Sequence, residues 1–188
     1  MSRQLKIWKS HFGEEWTDRN KVDPLARVRG FKKLVDNLDG IKSILEVGCG
    51  AGHNLVSLKK VNPSYILYGI EPLSYAIKNS EVSNLYTGDC FSIPFLRATF
   101  DLVFTCGVLM HVSPEDIPRA VVEINRVTIK YILIIEYGSE VETTIDYHGH
   151  KDLLWKRDYS KLFSNLEASG SLTEEEGFDR CDWWLFKK

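Results

Sequence analysis

The sequence has no surplus of basic residues: 24 Lys and Arg stand against 26 Asp and Glu, a formal net charge of −2. A protein that grips nucleic acid through its phosphates carries an excess of Lys and Arg. A small molecule, and not nucleic acid, is therefore the expected partner. Long apolar runs are also missing. The longest, Tyr131-Ile132-Leu133-Ile134-Ile135, falls far short of the ~20 residues that span a bilayer. Met1–Ser10 is polar and basic, without the apolar centre of a signal peptide. These features predict a cytoplasmic protein with no membrane partner. Cysteine is sparse: four residues, at 49, 90, 106 and 181. None forms a C-x-x-C pair and no Cys/His cluster has zinc spacing, so no metal site is expected. They read as reduced thiols, and Cys49, Cys90 and Cys106 fall near predicted strand ends, where small residues can line a pocket.

What is present is an ordinary globular composition, 44% hydrophobic and 27% charged over 188 residues. That length predicts one domain, residues 1–188, with a substantial core. Five strand-like runs alternate with helix-length segments: 43–47, 65–71, 84–87, 100–105 and 131–137. Near-continuous aliphatic strands separated by helices predict a parallel sheet covered on both faces. Helices are expected over 54–60, from Pro72, and from Ser113-Pro114-Glu115-Asp116, read as an N-cap, a proline at N1 and an acidic first turn. Two more precede the first strand, over 6–15 and 25–38, and residues 1–40 form a helical lid or support. Residues 140–157 show no periodicity, a short helix is expected over 160–168, and Asp182–Lys187 reads as a last strand. Residues 138–170 are assigned to the acceptor side of the site.

The densest signal is Ser43-Ile44-Leu45-Glu46-Val47-Gly48-Cys49-Gly50-Ala51-Gly52-His53-Asn54-Leu55. It reads as a buried strand with an acid at its tip, a glycine turn and the start of a helix. Such a turn lets a flat, charged ligand lie against bare backbone, and the helix start offers free N–H groups. A dinucleotide fingerprint G-x-G-x-x-G would need glycine where His53 stands, which argues against a nicotinamide oxidoreductase.

The run Glu46-x-Gly48-x-Gly50-x-Gly52 resembles motif I of the class I S-adenosylmethionine (SAM) dependent methyltransferases. The resemblance implies a Rossmann-like, seven-stranded, mostly parallel sheet with helices on both faces and an antiparallel last strand. The sixth strand then falls within 171–178. It also implies SAM as cofactor. Glu46, Gly48, Cys49, Gly50 and Gly52 would hold its methionine portion and ribose, and Glu71 followed by Pro72 would accept the ribose hydroxyls. Asp89, Cys90 and Phe91 would meet the adenine, and Thr105 would border the methyl group. Arg19 would close over the SAM carboxylate. Trp8, Trp16 and Tyr137 could offer ring faces to the sulfonium.

The segments 8–20, 107–112, 131–137 and 147–159 also resemble a narrower family, the methylases associated with pseudaminic acid biosynthesis. That likeness implies a small polar acceptor, a sugar or nucleotide sugar. Lys151, Lys156 and Arg157 would suit a phosphate or carboxylate on it. His111, just past strand four, is the leading candidate base, with His148 and His150 behind it, because histidine titrates near neutrality. The competing function is a SAM-binding module without turnover, acting as a sensor or partner subunit.

Overall fold

The computed structural model describes residues 1–188. Its main sheet has seven strands: β1 (Ser43–Val47), β2 (Ile66–Glu71), β3 (Leu85–Thr87), β4 (Phe100–Cys106), β5 (Thr128–Glu136), β8 (Leu166–Ser171) and β9 (Asp182–Lys187). They lie in the order β3-β2-β1-β4-β5-β9-β8. The first five are mutually parallel, and β9 runs antiparallel to both β5 and β8. This is the class I methyltransferase sheet expected from the sequence. A separate hairpin joins β6 (Thr143–Tyr147) to β7 (His150–Lys156).

Alternation along the central strands divides the core in two. Ile44, Phe104 and Leu133 face one layer with Phe31 and Leu34 of α3 (Val28–Val35) and Leu55 and Leu58 of α4 (His53–Val61). Leu45, Val103 and Ile132 face the other, against Ala120, Ile124 and Val127 of α6 (Ile117–Val127). Strands buried on both faces have no polar side to reveal, hence their unbroken aliphatic runs. The strand order reverses between β1 and β4, and at that switch a crevice opens beyond the carboxyl ends of the strands.

Several local expectations are corrected. The first helical stretch is two helices, α1 (Arg3–Trp8) and α2 (His11–Arg19), because the Ser10 hydroxyl accepts the Phe12 N–H and starts a new helix. Ser113 does not cap α6. Its carbonyl accepts the N–H of Asp116 and of Ile117, making a separate turn, and the helix begins at Ile117. The stretch 140–157 is the β6–β7 hairpin. His148 (φ 47°) and Gly149 (φ 81°) form its tip, both left-handed, as a two-residue turn between twisted strands requires. The expected helix over 160–168 is a single 3-10 turn, Tyr159–Lys161, followed by β8. The sixth strand is thus Leu166–Ser171, and 171–178 holds only a short turn over Glu174–Glu176. Helix α5 spans Ser74–Lys78.

Gly48 shows why the turn after β1 needs glycine. Its φ is +74°, and a Cβ there would lie 2.5 Å from Val108 Cγ2. Gly48→Ala is expected to destabilise the fold by on the order of 2–4 kcal/mol, from left-handed strain plus overpacking. Urea unfolding measures this. A change below ~0.5 kcal/mol would mean that the turn relaxes freely.

Candidate active site

A cavity of about 300 Å³ sits at the topological switch. Its floor comes from the ends of parallel strands: Glu46–Ala51 after β1, Glu71 and Pro72 after β2, Asp89–Phe91 after β3, Cys106–Val108 after β4, and Glu136 and Tyr137 after β5. Its roof comes from Leu5, Trp8, Trp16 and Asn20 of the N-terminal segment, and from Tyr147 of the hairpin. Gly50, Glu71 and Asp89, far apart in sequence, therefore meet in one cavity.

The Glu71 carboxylate is fixed by backbone. One oxygen accepts the Gly50 N–H and the other the Leu73 N–H, both at 3.0 Å. Burial raises its pKa. Asp89 Oδ1 accepts the Phe91 N–H at 2.9 Å, which fixes the carboxylate on the turn after β3. Glu46 is fully buried; Oε1 accepts from Asn54 Nδ2 at 2.6 Å, while Oε2 has no partner. Burial pushes its pKa up to about 8, against the opposing pull of the Asn54 hydrogen bond.

Three predicted cofactor residues, Arg19, Thr105 and Gly52, lie outside the cavity lining. Arg19 is exposed at the end of α2, 5.7 Å over the Phe12 ring, and does not reach the cavity. Arg27 is the cation in the wall. It donates to Asn54 Oδ1 at 2.7 Å and to the Gly177 carbonyl at 3.1 Å, and stacks over Phe178 at 4.7 Å. Thr105 is wholly buried behind the wall and donates to Glu136 Oε1 at 2.9 Å. Gly52 is also outside the lining. A Cβ there would press on Val82, so this glycine serves the packing of the turn. Gly48, Cys49, Pro72, Cys90 and Phe91 do line the cavity. Burial pushes the Cys90 thiol up to about 12 and Cys49 well upward, so both are neutral wall residues and poor nucleophiles.

Of the three histidines, only His111 reaches the cavity. Its Nδ1 lies 2.6 Å from the Leu153 carbonyl. A carbonyl only accepts, so that contact assigns the proton of the neutral ring to Nδ1 and leaves Nε2 as the basic nitrogen. Burial lowers its pKa to about 4, keeping it unprotonated at neutral pH. His148 is exposed at the hairpin tip, and His150 packs on Phe12 at 4.9 Å outside the cavity. The expected basic cluster is dispersed. Lys151 is exposed and Lys156 lies over the Tyr137 ring. Arg157 is buried, donating to the Val112 carbonyl with its Nε 3.1 Å from Glu142. None of the three lines the cavity.

Glu136, not singled out from the sequence, organises the His111 turn. It is fully buried at the end of β5 and accepts the Thr105 hydroxyl and the N–H groups of Val108, Leu109 and Met110. An acid closing the aliphatic run Ile132–Ile135 was the available signal, because buried charge demands such partners. Arg27 carried no comparable mark.

Comparison with known proteins agrees with this geometry. Residues 45–131 match the family described as "Methyltransferase domain". An uncharacterized methyltransferase of Schizosaccharomyces pombe is 33% identical over 100 residues, 45% of this chain; the chain spans only 35% of that relative's length. A Burkholderia thailandensis 1,6-didemethyltoxoflavin-N1-methyltransferase, with its acceptor and S-adenosylhomocysteine (SAH) bound, superposes with a TM-score of 0.74 at 15% identity, covering 97% of this chain and 88% of that one. A protein of Pyrococcus horikoshii superposes with a TM-score of 0.69 at 15% identity, covering 92% and 94%. The chain therefore has the fold of these neighbours, and residues 45–131 resemble a methyltransferase domain.

The residues present fit SAM. Glu46 Oε2 is a buried acceptor without a partner, beside a backbone turn where a Cβ on Gly50 would meet no protein atom within 4 Å. A cationic ligand at Oε2 favours the carboxylate form and lowers its pKa from about 8. SAM affinity is then expected to rise as pH approaches 8 and to level off above it. At pH 7, binding is expected to release most of one proton, read as a buffer-dependent enthalpy in titration calorimetry and lost in Glu46→Gln. An enthalpy equal in phosphate and Tris would contradict this.

Proposed function

We propose that the chain transfers a methyl group from SAM to an oxygen or nitrogen of a small polar metabolite. SAM, when bound, supplies an electrophilic methyl on a sulfonium whose departure leaves a neutral thioether. The protein's tasks are then alignment, water exclusion and proton removal. Glu71 receives the ribose hydroxyls, Asp89 and Phe91 the adenine, and Glu46 and the glycine turn the methionine end. Arg27, in place of Arg19, faces the SAM carboxylate. His111 Nε2 takes the acceptor proton, and Glu136 positions the turn that carries it. The convergence of Gly50, Glu71, Asp89 and His111 on one cavity is the observation that carries this reading.

A small-molecule acceptor also agrees with the Burkholderia thailandensis neighbour, whose structure holds one. The finer expectation, a sugar or nucleotide sugar, rests on the pseudaminic acid resemblance. The dispersal of Lys151, Lys156 and Arg157 removes the phosphate grip that a nucleotide sugar would use.

Calorimetry with SAM, SAH and NADH tests the cofactor. SAM and SAH are expected to bind and NADH not to. NADH binding without SAM binding would overturn the proposal. SAH release during a metabolite screen separates an enzyme from a module that only binds SAM.

A further inference from the structure

Three aromatic rings, Trp8, Trp16 and Tyr147, stand in the roof of the cavity beside His111. Trp8 meets Trp16 edge-on at 5.4 Å and His111 at 4.7 Å, and Tyr147 lies 5.0 Å from His111 and 6.5 Å from Trp8. Trp16 Nε1 donates to the Tyr147 hydroxyl at 3.2 Å, tying helix α2 to the hairpin. Further ties hold this wall together: Arg3 donates to the Lys151 carbonyl and Gln4 to the Asp152 carbonyl. No Lys or Arg joins these rings in the lining; the only Arg or Lys there is Arg27, which is bound to Asn54 and Gly177.

The polar groups of the wall are specific. Trp8 Nε1–H is shut off from solvent and has no protein partner. Buried donors are rarely left so, which makes it a donor awaiting an acceptor atom. Tyr147 oxygen accepts from Trp16, leaving its own proton to donate. His111 Nε2 accepts. A complementary molecule presents a flat face to the rings, a proton to His111 and an oxygen or nitrogen lone pair to Trp8. Ring-on-ring contact prefers offset or edge geometry and adds to the burial of apolar area. A phosphate would enter a wall with no cation to meet it, at high desolvation cost.

We propose that the acceptor is a planar, hydroxylated aromatic or heteroaromatic molecule without a phosphate group, seated against Trp8, Trp16 and Tyr147 with its hydroxyl facing His111 Nε2. The inference rests on the methyltransferase reading and replaces the sugar expectation. The step balances simply. The hydroxyl oxygen bonds the methyl carbon as the carbon–sulfur bond breaks, and the hydroxyl proton passes to Nε2. The positive charge leaves the sulfonium and appears on the His111 imidazolium, which burial disfavours, so the proton is passed on to solvent as the product leaves.

The test loads the full chain with SAH and titrates three probe sets. These are hydroxylated aromatics (catechol, 4-hydroxy-2-quinolone, a flavonol), a phosphorylated aromatic (4-nitrophenyl phosphate), and saccharides (glucose, UDP-glucose). Methyl transfer from SAM to each is followed by mass spectrometry. At least one hydroxylated aromatic is expected to bind and be methylated, with binding weakened tenfold or more in Trp8→Ala and only partly restored in Trp8→Phe, which returns a ring but no N–H. The phosphorylated and saccharide probes are expected not to bind. Binding by saccharides alone, by the phosphate alone, or by no aromatic probe overturns the inference. So does an aromatic affinity unchanged in Trp8→Ala. Failure of SAH itself to bind would instead overturn the cofactor reading, which keeps the two failures distinct.

Discussion

His111→Gln is expected to lower kcat by about 10²–10⁴-fold, the usual contribution of a positioned general base, while leaving SAM affinity within about twofold. Glutamine is the informative replacement. Its side-chain amide N–H can still donate to the Leu153 carbonyl, which His111 meets at 2.6 Å, but it has no basic nitrogen. His111 is buried between Trp8 and Tyr147, so His111→Ala would open a cavity as well as remove the base. The two variants therefore separate chemistry from packing. A large kcat loss in both, with a normal unfolding midpoint in the glutamine variant, identifies a base. Full activity in the glutamine variant would mean that the acceptor arrives already deprotonated, or as a neutral amine.

Glu71→Ala is expected to weaken SAM binding by about 1.5–3 kcal/mol, the range for hydrogen bonds to a charged group, or about 10- to 150-fold in Kd. The effect has two sources. The carboxylate oxygens face the cavity where ribose hydroxyls would lie. They also accept the Gly50 and Leu73 N–H groups, and so hold the glycine turn against the end of β2. Comparing Kd with the melting temperature separates the two. A lowered melting temperature with unchanged Kd would confine Glu71 to shaping the turn and place the ribose elsewhere.

Much of the fold was legible because its central strands obey one rule. Strands buried on both faces need continuous aliphatic side chains, and β1, β4 and β5 have them. The glycine turn was legible because Gly48 must be left-handed beside Val108. What escaped was set by partners distant in sequence. β8, Leu-Glu-Ala-Ser-Gly-Ser, is exposed throughout and has no strand pattern; only pairing with β9 makes it a strand. The β6–β7 hairpin hid because only Leu153, Leu154 and Trp155 bury a face, although His148-Gly149 marked its turn.

The site divides along the same line. Residues at strand tips, Glu46, Glu71 and Asp89, line the cavity because strand order alone fixes where tips go. Residues on the helices and loops that cover the sheet are not so fixed. Arg19 was the anion ligand expected from the sequence, and Arg27 carried no mark there; the path of α2 into α3 leaves Arg19 outside and brings Arg27 to the cavity. Among the histidines, the sequence favoured His111, just past strand four, over His148 and His150. The hairpin turns His148 and His150 outward, while its Leu153 carbonyl fixes the ring of His111.

A crystal structure with SAH bound tests the central claim most directly. The account predicts ribose hydroxyls on the Glu71 carboxylate, the adenine edge at Asp89, the amino-acid end between Glu46 and Arg27, and the sulfur on the side of the cavity where His111 stands. SAH seated outside this cavity, or inside it with the ribose away from Glu71, would contradict it.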